Sequence, residues 1–231
     1  MSVTTFIAKK LINYESEDSF AFKMRKKRAE RIKDLIAQCY QENGHVQIID
    51  VGGLDVYWKI IPRQFLKDNK VNITCINLPG SDPQAKDDDI FTYAEGDGCN
   101  LVDFADKSFH LSHSNSVIEH VGDKTNTQNF AKEMMRVADK VYLQTPNFWF
   151  PMEPHFMTPF FQWLPKAVRI KLLMNFNLGW YKKAGSYETA KGHIEHCNLL
   201  SAKDLKKLFP GSMLYYEKIF FFSKSLIVVK R

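Results

Sequence analysis

A chain of 231 residues, 45% hydrophobic and 25% charged, has room for one large domain with a modest insertion and is too evenly apolar for disorder, collagen or coiled coil. Its most apolar stretches, Phe156 to Leu164 and Phe220 to Val229, fall far short of the roughly 20 residues a spanning helix needs. Met1 to Asn13 is too short and lysine-interrupted for a secretory leader, so the chain reads as cytoplasmic. Lys+Arg 32 against Asp+Glu 26 gives +6, gathered in two basic, aromatic-flanked segments, Phe22 to Lys33 and Phe160 to Lys191. Each is either a solvated helix face or a surface for phosphate, anionic lipid or an acidic acceptor. The four cysteines, Cys39, Cys75, Cys99 and Cys197, form no Cys-x-x-Cys pair, which argues against a zinc site or disulfide framework.

Ser19 to Gln38 predicts a basic amphipathic helix whose apolar face is Phe22, Ala29, Ile32, Leu35 and Ile36, placed to cover the carboxyl ends of the strands that follow. Residues 1–40 thus form a cap, and residues 41–231 the main domain. Val46 to Val51 is a buried strand entering the Gly52-Gly53 turn. Asp55 to Lys67 is a helix that Pro62 must kink or divide. Strands follow at Val71 to Leu78, Ile90 to Glu95, Ser108 to His113 and Lys140 to Pro146, with a helix over Lys124 to Val137. Residues 147–197, rich in Phe, Trp and Pro, break the alternation and read as an insertion. Ser201 to Phe209 resumes as a helix with Ser201 as cap and Asp204 at N3. Met213 to Phe222 and Ser223 to Val229 close as an antiparallel pair. The expected fold is α/β: a Rossmann-like, doubly wound, mostly parallel seven-stranded sheet with an antiparallel C-terminal strand.

Ligands of such sheets lie beyond the carboxyl ends of the strands, and four ends carry informative residues. Asp50-Val51-Gly52-Gly53-Leu54 lets backbone approach a ligand and offers a carboxylate to an ammonium group. It lacks the later glycine of a pyrophosphate cradle and the Gly-Lys-Ser/Thr of a P-loop. Asn77-Leu78 ends the second strand. Gly96-Asp97-Gly98-Cys99 is either an Asx-turn or a site whose Asp accepts from an adenine amino group. Asn115-Ser116-Val117-Ile118-Glu119-His120 follows the fourth strand.

Together these ends resemble the class I S-adenosylmethionine-dependent methyltransferases, particularly small-molecule enzymes of the quinone-biosynthesis type, over residues 46–146 and loosely over the last thirty. The resemblance implies that Asp50, Gly52 and Gly53 pack on the methionine part of S-adenosyl-L-methionine. Asn77 and Leu78 then meet the ribose side, Asp97, Gly98 and Cys99 the adenine, and Asn115 and Ser116 lie beside the cofactor. Three departures stand out: Leu54 replaces a turn glycine, Asn77 an acid, and His110 an Asp. Some relatives bind magnesium through Glu-x-x-Glu-His; here Ser116 replaces the first Glu, so no metal is expected.

The insertion is expected to choose the acceptor. Thr145 to Phe156 combines prolines, aromatic walls and the pair Glu153 and His155, while His193, Glu195 and His196 lie just before the last helix. His155 is the first candidate for the base that a hydroxyl acceptor requires and His196 the second, with a core or capping role as the alternative for each. Pro165 to Phe176 predicts a basic aromatic lid helix, either dipping into a membrane surface or packed on its own domain. The expected partner is a small-molecule acceptor, a sugar or lipid-linked glycan intermediate methylated on oxygen. An NAD-dependent enzyme lacks its phosphate-binding glycines here. A nucleic-acid module would bring a polyanion against Asp50, Asp97 and Glu119.

Overall fold

The computed structural model describes residues 20–81 and 86–231; the readings of Met1 to Asn13 and of the Phe22 side chain lie outside it. Seven strands form one sheet: β1 (Val46–Val51), β2 (Val71–Asn77), β3 (Phe91–Glu95), β4 (Phe109–Asn115), β5 (Ala138–Pro146), β8 (Met213–Ile219) and β9 (Phe222–Lys230). Their spatial order is β3-β2-β1-β4-β5-β9-β8. The first five are mutually parallel, and β9 runs antiparallel to both β5 and β8. The winding reverses between β1 and β4, so their carboxyl ends open the crevice where such sheets bind ligands.

Central parallel strands are buried on both faces, which is why β1 reads as an almost continuous apolar run. Because neighbouring residues point to opposite faces, Ile48 and Ile49 enter different cores. On one face α1 (Phe20–Asn43) packs through Ala29, Ile32, Leu35, Ile36 and Cys39, beside Tyr57 and Trp58 of α2 (Asp55–Trp58) and Leu66 of α3 (Arg63–Asp68). On the other lie Phe130, Met134 and Val137 of α4 (Lys124–Val137), with Leu205 of α7 (Ala202–Leu208) and Phe209 just beyond it. Pro62 divides the helix after β1 into two, and Ser201 with Asp204 closes a capping box on α7.

Two expectations change. The N-terminal helix lies along a sheet face rather than across the strand ends, because its stripe from Ala29 to Cys39 is matched to Ile48, Ile73 and Leu111; of its side chains, Arg28 reaches the rim. The turn of the last hairpin falls at Phe220 and Phe221, earlier than expected, and leaves both rings exposed.

The insertion folds on itself. A two-residue pair, β6 (Met152–Glu153) with β7 (Thr158–Pro159), precedes α5 (Lys166–Asn175) and α6 (Tyr187–Glu195). Phe156, Phe161, Ile170, Leu173, Ala190 and Ile194 make a separate small core. The insertion leaves and rejoins the sheet at one place, where Phe148 N–H donates to the Leu200 carbonyl at 3.0 Å. Ile170 and Leu173 turn α5 onto this core, while Val168 and Phe176 stay exposed. No helix among the described residues is long and apolar enough to cross a membrane.

Candidate active site

The β1 turn is built around a buried carboxylate. Asp50 is fully buried; its Oδ1 lies 2.6 Å from His113 Nδ1 and its Oδ2 accepts from Trp58 Nε1 at 2.7 Å. It therefore shapes the turn from inside and does not face a ligand ammonium, which corrects the expectation for this residue. The space beside it must be empty: a Cβ on Gly53 would lie 1.8 Å from Asp50 Oδ2. Gly52 has φ +74°, and a Cβ there would meet Val117 at 2.5 Å. Backbone alone thus lines the turn, with Leu54 partly exposed at its lip.

Asn77 donates from Nδ2 to the Gly53 carbonyl at 2.8 Å, tying the end of β2 to the first turn and leaving Oδ1 as its acceptor. Leu78, next to it, is exposed. Asp97 forms the Asx-turn, accepting from Cys99 N–H at 2.8 Å through Oδ1, and the side chain remains exposed. Gly98 lets that turn pack on Val51 and Phe130, where a Cβ would come within 2.8 Å of each. Cys99 is half-buried with Sγ 3.4 Å from the Asn126 carbonyl, so it faces α4.

At the end of β4, Asn115 Oδ1 accepts from Arg28 Nη1 at 3.0 Å. Ser116 has φ +56°, uncommon for a residue with a side chain, and is fixed there by N–H to the Gln144 carbonyl and Oγ to Gln144 Oε1. Arg28 also donates to Gln144 Oε1 at 3.1 Å and pairs with Glu217 at 3.0 Å, an ion pair whose angle is not that of a hydrogen bond. One buried guanidinium so joins the ends of β4, β5 and β8.

The short 3₁₀ turn Ile118–His120 carries the chain toward the insertion. Glu119 is fully buried: Oε2 accepts from Thr145 Oγ1 at 2.8 Å, and burial raises its carboxyl to about 7. His120 points outward from the turn. Its Nδ1 faces the His196 carbonyl at 3.2 Å and its Nε2 faces His155 Nε2 at 3.1 Å. His155 in turn sets Nδ1 against buried Glu153 Oε1 at 2.8 Å. Burial alone would lower His155, but Cys197 and Glu153 outweigh it and push it up to about 10, whereas burial and the charge on His155 drive His120 down to about 4.

His155 is thus engaged at both ring nitrogens, Nδ1 by Glu153 and Nε2 by His120. His196 is exposed; its ring lies tilted at 33° to that of His120 with centroids 5.0 Å apart, and its carbonyl makes the polar contact. Missed by sequence reasoning were His120 as a partner of His155, and Cys197, whose sulfur lies within 4.8 Å of the nitrogens of both. The Glu-His dipeptide and the dispersed cysteine were visible. What joins them is the return of the insertion onto the β4 end, where Asn198 N–H donates to the Glu119 carbonyl at 2.8 Å.

Exposed aromatic rings stand over the insertion. Trp149 and Trp163 are 6.1 Å apart, and Phe160 lies 5.2 Å from Trp163.

Residues 62–140 match the family described as Methyltransferase domain, a span from α3 to the start of β5 that omits the glycine turn and the insertion. No curated protein matches the chain. Among solved structures, a Galdieria sulphuraria protein bearing the name of a sarcosine dimethylglycine methyltransferase is similar at 16% identity and TM-score 0.47, over 80% of this chain and 64% of its own. Phosphoethanolamine N-methyltransferase 2 of Haemonchus contortus, solved with S-adenosylhomocysteine, is similar at 12% identity and TM-score 0.45, over 79% of this chain and 38% of its own. A methyltransferase from Methanosarcina mazei is similar at 16% identity and TM-score 0.45, over 80% and 91%. The chain thus spans less than two thirds of the length of the first two.

Proposed function

We propose that this chain is a class I S-adenosylmethionine-dependent methyltransferase that methylates a hydroxyl of a small-molecule acceptor, a sugar or lipid-linked glycan intermediate, a reading supported by the partial family match and the sheet order. The observation that carries the reading is the backbone-lined turn at the β1–β4 switch point, where Gly52 and Gly53 leave no room for a side chain. Gly52 and Gly53 would hold the methionine part of the cofactor, Asn77 Oδ1 and Leu78 the ribose side, Asp97 the adenine, with Asn115 beside them. Bound there, S-adenosylmethionine supplies an electrophilic methyl group on a sulfonium sulfur.

Displacement at such a carbon needs alignment more than acid catalysis, so these residues act chiefly by orientation. The acceptor's hydroxyl proton must still be removed. That task is assigned to the His120–His155–Glu153 array, whose members lie in contact. Trp149, Trp163 and Phe160 supply aromatic faces for a sugar ring or lipid, and the exposed Phe220 and Phe221 favour a lipid-linked acceptor met at a membrane surface. Nucleic acid is disfavoured, because exposed Glu95 and Asp97 make the rim negative.

Calorimetry with S-adenosylhomocysteine tests the cofactor site. Wild type is expected to bind, and Asp97→Ala and Gly52→Leu to weaken binding about tenfold or more, roughly 1.4 kcal/mol. Binding that ignores both substitutions overturns the assignment. Transfer of labelled methyl to glycan oxygen, with Trp149→Ala raising KM and sparing kcat, tests the acceptor.

A further inference from the structure

Two imidazoles that meet at Nε2 pose a problem of protons. Glu153 Oε1 and the His196 carbonyl are both acceptors, so each fixes an N–H on the Nδ1 it faces, in His155 and His120 respectively. Both Nε2 lone pairs are thereby aimed at one another across 3.1 Å, a distance that is repulsive unless a cation lies between them. A proton would satisfy the rings but makes no use of the Cys197 Sγ, which lies within 4.8 Å of both nitrogens.

We propose that His120 Nε2, His155 Nε2 and Cys197 Sγ bind one divalent transition-metal ion of the zinc class, with the fourth position open toward the acceptor. Tetrahedral zinc places its ligand nitrogens about 3.3 Å apart, given Zn–N near 2.0–2.1 Å, close to the spacing here. Two nitrogens and a sulfur suit zinc and not magnesium, which demands oxygen. The surrounding groups match the outer partners such sites use. A buried carboxylate orients one histidine and a backbone carbonyl the other, and Tyr181 Oη lies 3.5 Å from the sulfur. Charge also balances, since the ion's two positive charges meet the Cys197 thiolate and the Glu153 carboxylate.

A three-ligand site with an open position fits a role beyond clasping the insertion to β4: it lowers the pKa of a bound acceptor hydroxyl so that the proton passes to water, and the two imidazoles then serve as ligands in place of the base. The donor set differs from the oxygen-rich Glu-x-x-Glu-His site that Ser116 interrupts. Its three ligands come from the β4 turn, from the loop after β6 and from just beyond α6, so no single stretch of sequence announces it.

Chelator-treated protein titrated with Co²⁺, without cofactor, decides the matter separately from methyl transfer. One equivalent is expected to bind, with the intense visible bands of tetrahedral cobalt and a thiolate-to-cobalt charge-transfer band, and Zn²⁺ to displace it. Cys197→Ser should abolish the charge-transfer band and Glu153→Gln weaken binding 10–100-fold, while Cys99→Ser leaves both unchanged. Circular dichroism reports folding; should Cys197→Ser unfold, His120→Gln takes its place and must weaken binding at least tenfold. Folded wild type that takes up no cobalt, a weak octahedral spectrum, or a charge-transfer band that survives Cys197→Ser overturns the site.

Discussion

Gly53 is a glycine because its neighbour's carboxylate already fills the place of a side chain. Asp50 cannot retreat from it, since Trp58 and His113 hold both its oxygens in a buried pocket. Gly53→Ala must therefore break one of these bonds and leave a polar group unpaired, at a cost of about 3 kcal/mol. Gly192, in the interior of α6, has open space where a Cβ would stand, with nothing within 4 Å, and its replacement by Ala should stabilise by about 0.5–1 kcal/mol through helix propensity. Urea unfolding of the two variants measures the contrast. A Gly53→Ala protein as stable as wild type would mean that the buried carboxylate does not organise the turn.

Between β3 and β4 the loop is pinned to α4 by Glu133 and Arg136, the latter also pairing with Asp106 of the loop. Glu133 accepts from Leu101 N–H, and Arg136 donates to the Leu101 and Phe104 carbonyls while pairing with Glu133 at 2.7 Å. Arg136, then burial acting the other way, leaves the Glu133 carboxyl below its ordinary value. A carboxylate depressed on folding stabilises above its unfolded pKa, and that stability is lost as pH falls through the folded value. Glu133→Gln should cost about 1 kcal/mol near neutral pH, allowing for solvent screening, and flatten the decline of stability below about pH 4.5. Denaturant midpoints across that range provide the check, and an unaltered slope would remove Glu133 from the account. The sheet elements were legible in the sequence because buried strands impose β-branched runs and because Gly52-Gly53, Pro79-Gly80 and Gly96 end them. The insertion was legible only as a break in pattern, since strands of two residues carry no periodicity. In the sequence Arg28 is one charge in a basic run. Its burial against Asn115, Gln144 and Glu217 depends on partners 87 to 189 residues away, 189 being 217 minus 28, and no local pattern encodes such a bond.

At the scale of the molecule, the carboxyl ends of the parallel strands, the start of the insertion and the last hairpin turn share one rim. Pro146 pairs with Ser225, and Asn147 N–H donates to the Lys224 carbonyl, so the β8–β9 turn emerges beside the point where the insertion departs. Phe220 and Phe221, 90% and 95% exposed, project there with Phe222 half-exposed and Lys218 on the outside. Such rings at a turn tip have no packing role among the described residues, and inserting each into an acyl boundary would contribute about 1.5–3 kcal/mol, with about 1 kcal/mol more per lysine near anionic lipid. The sum gives reversible, salt-sensitive attachment rather than anchoring. Vesicles containing anionic lipid should therefore co-sediment the protein at low salt and release it at high salt. Phe220→Ser with Phe221→Ser should abolish co-sedimentation while S-adenosylhomocysteine binding is unchanged, because both rings are almost wholly exposed and pack on none of the four strand ends proposed to hold the cofactor. Failure of wild type to bind these vesicles, or equal binding by the double variant, would exclude a membrane-borne acceptor reached through this rim and leave a soluble one.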